Sequence, residues 1–270
     1  MSKVDYKHKI VLYCKSYRGD IRRAEVLYES VQKYNKDNIP FYFQIPKSDY
    51  ELWKNTFGTE GHEIIFDEDV TDLVNNQSHF TQQLYKMEFY KTRIAEYYII
   101  VDSDFYFIKE FTTEDFISPD GIPYLIMHED KAMREYSVNI FGNHNLSEWW
   151  DGNRRKVKEY FGRPGKIYGY SGSALIYFSE ALRTLYEELC EPQGSTFLDL
   201  LNYRAKENAW HGEWILYKKM PFLPSEPLFK IFHYEFQYKL AKQLGHTEES
   251  YAQMYIGIGL QSNWNAPLRY

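Results

Sequence analysis

The stretch Tyr97-Tyr98-Ile99-Ile100-Val101-Asp102-Ser103-Asp104 decides how this chain is organised. Its unbroken β-branched and aromatic run is typical of a strand that is buried on both faces, in the middle of a parallel sheet. Two carboxylates stand where that strand ends. Open α/β sheets bind ligands at the carboxyl ends of their strands, and carboxylates one residue apart can jointly hold a divalent ion. Asp102 and Asp104 are therefore the first candidate site.

A triplet of this kind also arises by chance, and the chain contains a second one. Asp67-Glu68-Asp69 follows the short apolar run Ile64-Ile65-Phe66. We favour Asp102 and Asp104 because a long amphipathic segment precedes their strand, the strand is longer, and aromatic residues rather than more charge follow it. For either triplet the alternative is a solvated turn.

The segment before the central strand, from Thr81 to Glu96, is predicted to be a helix. Its apolar positions keep helical spacing and form one stripe, so Gln83 and Lys86 share a different face. Because this helix leads directly to the carboxylate turn, Lys86 is a candidate contact for a phosphate or a sugar, and Gln83 is a second candidate ligand contact. The alternative is an ordinary solvated face.

The chain opens with a predicted strand, a loop and a helix. The strand covers Lys9 to Cys14, the loop is Lys15-Ser16-Tyr17-Arg18-Gly19-Asp20, and Asp20 can cap the helix that follows. A hydroxyl, an aromatic ring and a cation at a helix N-terminus suit a nucleotide, so Ser16, Tyr17 and Arg18 are candidate contacts. The loop lacks G-x-G-x-x-G and G-K-[ST], which argues against a dinucleotide fold and a P-loop ATPase.

Two more strands are predicted from Pro40 to Pro46 and from His62 to Phe66. Asp67 stands directly after the second of them. At that position it either contacts a base or ribose of the ligand or only caps the turn.

The composition changes between Asn139 and Lys166, after a predicted strand from Pro123 to His128 that ends in Glu129-Asp130. The region has few aliphatic residues and carries the basic run Arg154-Arg155-Lys156-Val157-Lys158. Variable segments on a rigid scaffold often hold the second substrate, so we expect acceptor recognition here. The basic residues either suit an anionic acceptor or form the solvated face of a helix.

Three further candidates lie in the second half of the chain. Gly172, in a glycine-punctuated turn that enters a strand, permits close approach of the backbone to a ligand. Glu213, between tryptophans, is either a general base made more basic by burial or a helix glutamate stabilised by the dipole. His233 is a candidate third metal ligand, although a lone histidine among aromatic residues is more often a packing residue.

The composition restricts the classes of function. With 270 residues and 44% hydrophobic content, the chain can form one large domain or a domain with an appendage. The 26 tyrosines and 18 phenylalanines suit either a concave site for sugars and bases or the core. The net charge of −6 provides no global field for nucleic acid or an anionic membrane.

The cysteines and the apolar runs predict a cytoplasmic protein. Cys14 and Cys190 lie far apart and form no ligand or redox spacing, which suits a reducing compartment. Residues Met1 to Lys9 are polar and charged, and no apolar run approaches the length of a membrane span, so we expect neither a signal peptide nor a span.

Together these features resemble a GT-A glycosyltransferase, and in detail small bacterial and phage glycosyltransferase-like families. The matching parts are the loop after the first strand, the Gln82-Gln83-Leu84-Tyr85-Lys86 segment, the strand ending Val-Asp-Ser-Asp, and the Gly-rich segment after an acceptor region. The resemblance covers about residues 9 to 217. It implies an α/β, Rossmann-like GT-A domain with a mostly parallel central sheet flanked by helices, in residues 1–217 with an acceptor-side insertion near 139–166. Residues 218–270 would form a C-terminal extension packed on this core.

The resemblance further implies transfer of a sugar from a nucleotide-sugar donor to a glycan or another hydroxyl acceptor. Mn²⁺ or Mg²⁺ would bridge Asp104 to the diphosphate, Asp102 would contact the metal or the ribose, and Ser103 would lie beside them. A dication would stabilise the charge that develops on the leaving diphosphate. If the enzyme inverts, it needs a carboxylate base, for which Glu213 is the first choice and Asp130 the second. If it retains, no such base is required.

Three other functions are weighed. Glycosylation of modified bases in phage DNA is permitted by the basic run from Arg154 to Lys166 but disfavoured by the acidic balance. A non-catalytic carbohydrate-binding protein of the same fold would be free to lose Asp102, Asp104, Lys86 and Glu213, yet all four are present. A metal-dependent hydrolase is disfavoured because the sequence has no H-E-x-x-H or comparable spacing.

Overall fold

The central sheet confirms a mixed α/β fold. The computed structural model describes residues 4–71, 79–131, 134–135, 137–138, 145–204 and 206–270, with backbone only at 79 and 145–150. Five strands form the sheet in the order β3-β2-β1-β4-β7. The first four are parallel, and β7 runs antiparallel to β4. Their bounds are β1 His8–Lys15, β2 Phe41–Ile45, β3 Glu63–Phe66, β4 Ala95–Ile100 and β7 Leu175–Phe178.

Helices flank this sheet. The first helix carries an apolar stripe, in which Ala24, Leu27 and Val31 recur at helical spacing and are buried. Two short helices, Phe197–Tyr203 and Glu248–Ala252, begin with capping boxes. The helices of the described residues are Ile21–Tyr34, Tyr50–Phe57, Asp67–Val70, His79–Glu88, Asn145–Tyr160, Ser179–Leu185, Phe197–Tyr203, Glu207–Lys218, Glu235–Gln243 and Glu248–Ala252.

Strand β4 lies in the core as expected. Tyr98, Ile99 and Ile100 are buried, and the ring of Tyr98 packs against those of Phe89 and Tyr177. The helix before β4 is shorter than predicted. It ends at Glu88 instead of Glu96, because a 3₁₀ turn follows and Arg93 adopts a left-handed backbone with φ of 54° before the strand begins.

A second sheet joins the middle of the chain to its end. Its order is β5-β10-β9, with β5 Phe105–Phe107, β10 Gly257–Leu260 and β9 Phe229–Phe232. Strand β10 is antiparallel to β5 and parallel to β9. A small parallel pair, β6 Tyr124–Ile126 and β8 Leu223–Ser225, adds another link. The segment 218–270, predicted as an extension packed on the core, thus shares both small sheets with earlier residues.

The helices and the two cysteines bear on the predictions made from the apolar runs and the cysteine spacing. Across the described ranges, no helix is both long and apolar enough to cross a membrane. Cys14 and Cys190 are free, buried thiols. Burial raises the pKa of Cys14 well above its ordinary value, so this thiol is an inert core side chain.

Candidate functional site

The carboxylate turn lies at the carboxyl edge of the central sheet. The Val101 amide donates to the carbonyl of Tyr13 at 2.9 Å, which ties the end of β4 to β1. The Phe105 amide donates to the carbonyl of Asp102 at 3.0 Å and closes the turn. Asp102 and Asp104 therefore stand beside the loop that follows β1, at the strand end where the sequence placed them.

Lys86, on the helix His79–Glu88, contacts the carboxylate turn. Its ammonium lies 2.6 Å from Asp102 Oδ1, and its side chain is 8% exposed whereas that of Asp102 is 42% exposed. Burial opposes the charge of Lys86, but the carboxylates of Asp102 and Glu207 outweigh it and leave the pKa raised. The alternative of a solvated face does not hold for Lys86, which is a buried cation beside the carboxylate turn.

Asp104 is held by the C-terminal part of the chain. The Ser262 amide donates to its Oδ2 at 3.0 Å, and the Leu260 amide donates to its backbone carbonyl at 2.9 Å. Burial, followed by the nearby charge of Asp102, raises the pKa of Asp104 to about 6. The surroundings of Asp104 thus disfavour its charged form, which a nearby cation would stabilise.

Asp20 is a third carboxylate at the turn, and the sequence did not predict it as a site residue. Asp20 was expected to cap the first helix, but its side chain makes no capping hydrogen bond and instead accepts one from Ser103 Oγ at 3.3 Å. Burial raises the pKa of Asp20, and the charge of Asp102 adds to this. Arg23, which donates to the carbonyls of Leu260 and Ala266, acts in the other direction: its positive charge favours the ionised forms of Asp20 and Asp104 and lowers the pKa of each.

The loop after β1 presents only part of its predicted nucleotide surface. Ser16 is buried, and among the described residues its hydroxyl has no hydrogen-bond partner. The half-buried ring of Tyr17 lies over Gly19, where an added Cβ would come within 2.5 Å of it. Arg18 turns to Asp49, which accepts from its Nε at 2.6 Å and from its backbone amide at 2.7 Å. Tyr17 is the best placed of the three for a ligand contact.

Asp67 lies in a buried polar chain at the same edge of the sheet. Its Oδ2 is 3.1 Å from the Lys15 ammonium, and both side chains are 1% exposed. Gln44 donates to Asp67 Oδ1 at 3.0 Å and accepts from the Tyr13 hydroxyl at 2.8 Å. Burial, which lowers the pKa of Lys15 and raises that of Asp67, works against the ionised pair. This arrangement places Asp67 behind the loop rather than on its surface.

The glycine-punctuated turn lies beside the carboxylate turn because of strand register. Ile100 pairs with Leu175 in the antiparallel β4–β7 ladder, so the residues before Leu175 adjoin those after Ile100. Ser173 and Ala174 have φ of 57° and 51°, a left-handed conformation that is strained for both. A Cβ on Gly172 would lie 2.8 Å from Pro227 Cβ, so only glycine allows this close contact.

Asp130 is part of a network that supports this turn. It pairs with the buried Arg154, which also donates to Ser171 Oγ at 3.1 Å. The His128 ring lies 2.7 Å from the Ser171 carbonyl through Nε2 and 3.3 Å from the Asp130 amide through Nδ1. These partners fit a neutral imidazole protonated on Nε2, and burial lowers the pKa of His128 accordingly.

Glu213 faces the protein interior. Arg163 donates to both of its oxygens, at 2.5 and 2.7 Å, and the Tyr170 hydroxyl donates to Oε1 at 2.9 Å. The Glu213 side chain is 1% exposed. The structure therefore gives Glu213 a supporting position, without an oxygen directed to a substrate. Burial and the Glu213 charge raise the pKa of Tyr170, which keeps this hydroxyl a donor.

Gln83 lies beneath the site rather than on it. It is buried and accepts from the Glu207 amide at 3.4 Å. Glu207 is one of the carboxylates that raise the pKa of Lys86. Gln83 thus connects the helix that carries Lys86 to the helix Glu207–Lys218, and this indirect role differs from the predicted ligand contact.

His233 reaches the same edge of the second sheet as Asp104 but does not complete a metal site with it. Leu260 pairs with Phe232, and its amide binds the Asp104 carbonyl, so His233 and Gln261 follow two strand ends near Asp104. Across the parts of the chain that the structure describes, no three His, Cys, Asp or Glu side chains form a group able to hold a metal. The predicted set of Asp102, Asp104 and His233 is therefore not assembled as ligands.

The basic run does not form a continuous cationic surface. Arg154 pairs with Asp130, Arg163 with Glu213 and Lys166 with Glu129. Lys158 donates to the Gly165 carbonyl at 2.5 Å. Much of this charge is thus already neutralised within the protein. Residues 139–144, part of the expected acceptor region, lie outside the described residues.

A cleft of about 870 Å³ adjoins the site. Its lining includes Gly172, Asp130, His233 and the whole of β9. The carboxylate turn itself is not part of its lining. The carboxylate turn thus lies at the sheet edge, with the cleft next to it. This arrangement suits two ligands that meet at the glycine-punctuated turn.

Comparison with known families places the chain without revealing its activity. The model of a family described as a family of unknown function, DUF6492, matches residues 5–264, so the chain belongs to this family. No curated protein matches the chain.

Proposed function

We propose that this member of the DUF6492 family is a cation-dependent glycosyltransferase that moves a sugar from a nucleotide-sugar donor to a hydroxyl acceptor. The observation that carries the proposal is the position of Asp102 and Asp104 between the loop after β1 and the strained Ser173-Ala174 turn. Ligand sites of α/β sheets lie at such strand ends, and strained backbone is concentrated at functional sites. The sequence resemblance to GT-A enzymes supports the same assignment.

The turn fits a cation that arrives with its substrate. Lys86 occupies Asp102 Oδ1 and Ser262 occupies Asp104 Oδ2, which leaves one oxygen of each carboxylate outside these contacts. Mg²⁺-type sites often use one or two carboxylates together with substrate phosphates and water. When bound, such an ion would offset negative charge on the diphosphate leaving group.

The protein's own cation supports the same chemistry. The Lys86 ammonium is buried at the turn, and the carboxylates around it keep it charged. A preorganised positive charge in a site of low dielectric stabilises a leaving group more strongly than it would in water. We expect Lys86 to orient Asp102 in the free protein and to attract the diphosphate in the complex.

The acceptor side favours Asp130 over Glu213 as a base, if the reaction inverts. Asp130 pairs with Arg154 but lines the cleft and is 18% exposed, whereas Glu213 is 1% exposed and has both oxygens bound by Arg163. A general base must come within hydrogen-bond reach of the proton that it abstracts. Glu213 is thus assigned to holding the helix Glu207–Lys218 against Arg163 and Tyr170.

Thermal unfolding with a panel of nucleoside diphosphates and nucleotide sugars tests the proposal. Each ligand is added with Mn²⁺ or with a chelator. One nucleotide should stabilise the protein only with metal, by about 2.7 kcal/mol at 100 times its dissociation constant. Asp104→Asn should abolish this gain, and the control Asp69→Asn, at a surface carboxylate paired with Lys47, should retain it. Absence of any metal-dependent stabilisation would remove the proposal.

A further inference from the structure

One cation in the cleft, Lys230, has no carboxylate partner among the residues that the structure describes. Lys230, on β9, makes no ion pair with the described residues; its ammonium lies 5.5 Å from the ring centre of Phe232 and 5.9 Å from that of Tyr251. The side chain is half-buried and lines the cleft, and burial lowers its pKa. A cation removed from water without a counter-ion attracts an anionic ligand group.

The mouth of the same cleft is aliphatic. Leu240, Leu244 and Met254 all line it, and they are 40%, 67% and 67% exposed. A ligand that is polar throughout, such as a free sugar, would cover these apolar side chains poorly. An aliphatic chain would cover them and be stabilised by the hydrophobic effect.

We propose that this cleft binds an amphiphilic anion, with its apolar chain over Leu240, Leu244 and Met254 and its phosphate head group at Lys230. The head group then lies towards His233 and Gly172, at the end of the cleft nearest the carboxylate turn. The role of this ligand as glycosyl acceptor rests on the proposed function. Its binding to the cleft is independent of that function.

The carboxylates that line the cleft form no ion pair with Lys230. Glu129 pairs with Lys166 and Asp130 pairs with Arg154. Glu226 also lines the cleft but forms no ion pair with Lys230. An acidic ligand would therefore meet a cation that is still available, and the neutral rings of Phe232 and Tyr251 would limit its exposure to water.

Binding of decyl phosphate, below its micelle concentration and without nucleotide or metal, tests the proposal. Titration calorimetry should give a dissociation constant at least tenfold lower than that of inorganic phosphate or decanol. Lys230→Met should weaken binding at least tenfold, and Leu240→Ser at least threefold. Matched controls are Lys33→Met, a lysine 4.6 Å from the ring centre of Tyr34, and Leu52→Ser, on another helix and 41% exposed. Both should bind like wild type.

Three results would overturn it: no binding of decyl phosphate, equal binding of inorganic phosphate, or unchanged binding in both cleft variants. Unfolding midpoints of the variants show whether each is folded. Asp104→Asn should bind decyl phosphate normally even though it loses the nucleotide, so the cleft and the transferase proposals fail or succeed separately.

Discussion

The ammonium of Lys86 lies 2.6 Å from Asp102 Oδ1 and joins the helix before the central strand to the turn after it. The pair is asymmetric, because the lysine is buried and the aspartate is partly open to water. A substrate can therefore approach Asp102 while Lys86 stays fixed. The buried cation also balances Glu207, so it serves both stability and the site.

Replacement of this cation should affect binding more than folding. In Lys86→Met we expect a loss of about 2 kcal/mol in the free energy of unfolding, below that of a fully buried pair because Asp102 remains solvated. Affinity for the nucleoside diphosphate should fall at least tenfold. Lys91→Met is the matched control, since Lys91 pairs with Glu88 in the adjoining turn. Equal nucleotide affinity in wild type and Lys86→Met would contradict the assigned role.

The Arg163–Glu213–Tyr170 cluster predicts a stability effect at Glu213, for which the sequence left a general base and a structural helix glutamate open. Glu213→Gln should lower the free energy of unfolding by about 3 kcal/mol, because it leaves a guanidinium with a poor buried partner. Chemical denaturation measures this loss. Glu187→Gln, at an exposed pair with Arg183, should cost less than about 1 kcal/mol. If Glu213→Gln were fully stable and lost turnover, Glu213 would be the base after all.

Asp104 predicts a pH dependence of stability in the ligand-free protein. Its pKa is about 6 in the fold, above the ordinary 3.8, so the folded state binds the extra proton between these values. Its contribution to stability is thus greatest at low pH and is lost as pH rises through about 6. Between pH 4.5 and 7, the free energy of unfolding of wild type should fall relative to that of Asp104→Asn. A difference that is constant with pH would refute this coupling.

Two glycines should respond oppositely to alanine. Gly172→Ala places a Cβ 2.8 Å from Pro227 Cβ and should cost about 1–3 kcal/mol. Gly152, in the helix Asn145–Tyr160, has no atom within 4 Å of the added Cβ. Gly152→Ala should therefore stabilise the protein by up to about 1 kcal/mol. Similar midpoints for the two variants in thermal unfolding would show that the contact at Gly172 is not tight.

The features that the sequence predicted are those with a local signal. The run ending at Val101 is apolar without interruption, so its burial in a central strand and the position of Asp102 at its end both follow. Lys86 could be placed near the turn because its helix immediately precedes the strand. The mostly parallel sheet was predicted from the same apolar run and was implied by the resemblance.

The features that the sequence did not predict depend on distant residues. Ser103 and Asp20 lie 83 positions apart, and Arg163 and Glu213 lie 50 apart. Asp20 has the residue type of a helix cap, and only the folded chain shows that its side chain turns to the site. Likewise, only the folded chain places Lys230 beside the rings of Phe232 and Tyr251 and in the cleft.

The most direct test of the central claim is cleavage of the sugar–phosphate bond. Once the nucleotide is identified, release of nucleoside diphosphate from the nucleotide sugar is measured with Mn²⁺ for wild type, Asp104→Asn and Asp69→Asn. We expect release by wild type and Asp69→Asn, at least a hundredfold slower release by Asp104→Asn, and none with chelator. Release by Asp104→Asn at the wild-type rate, or no release by wild type with any acceptor or water, would contradict the account.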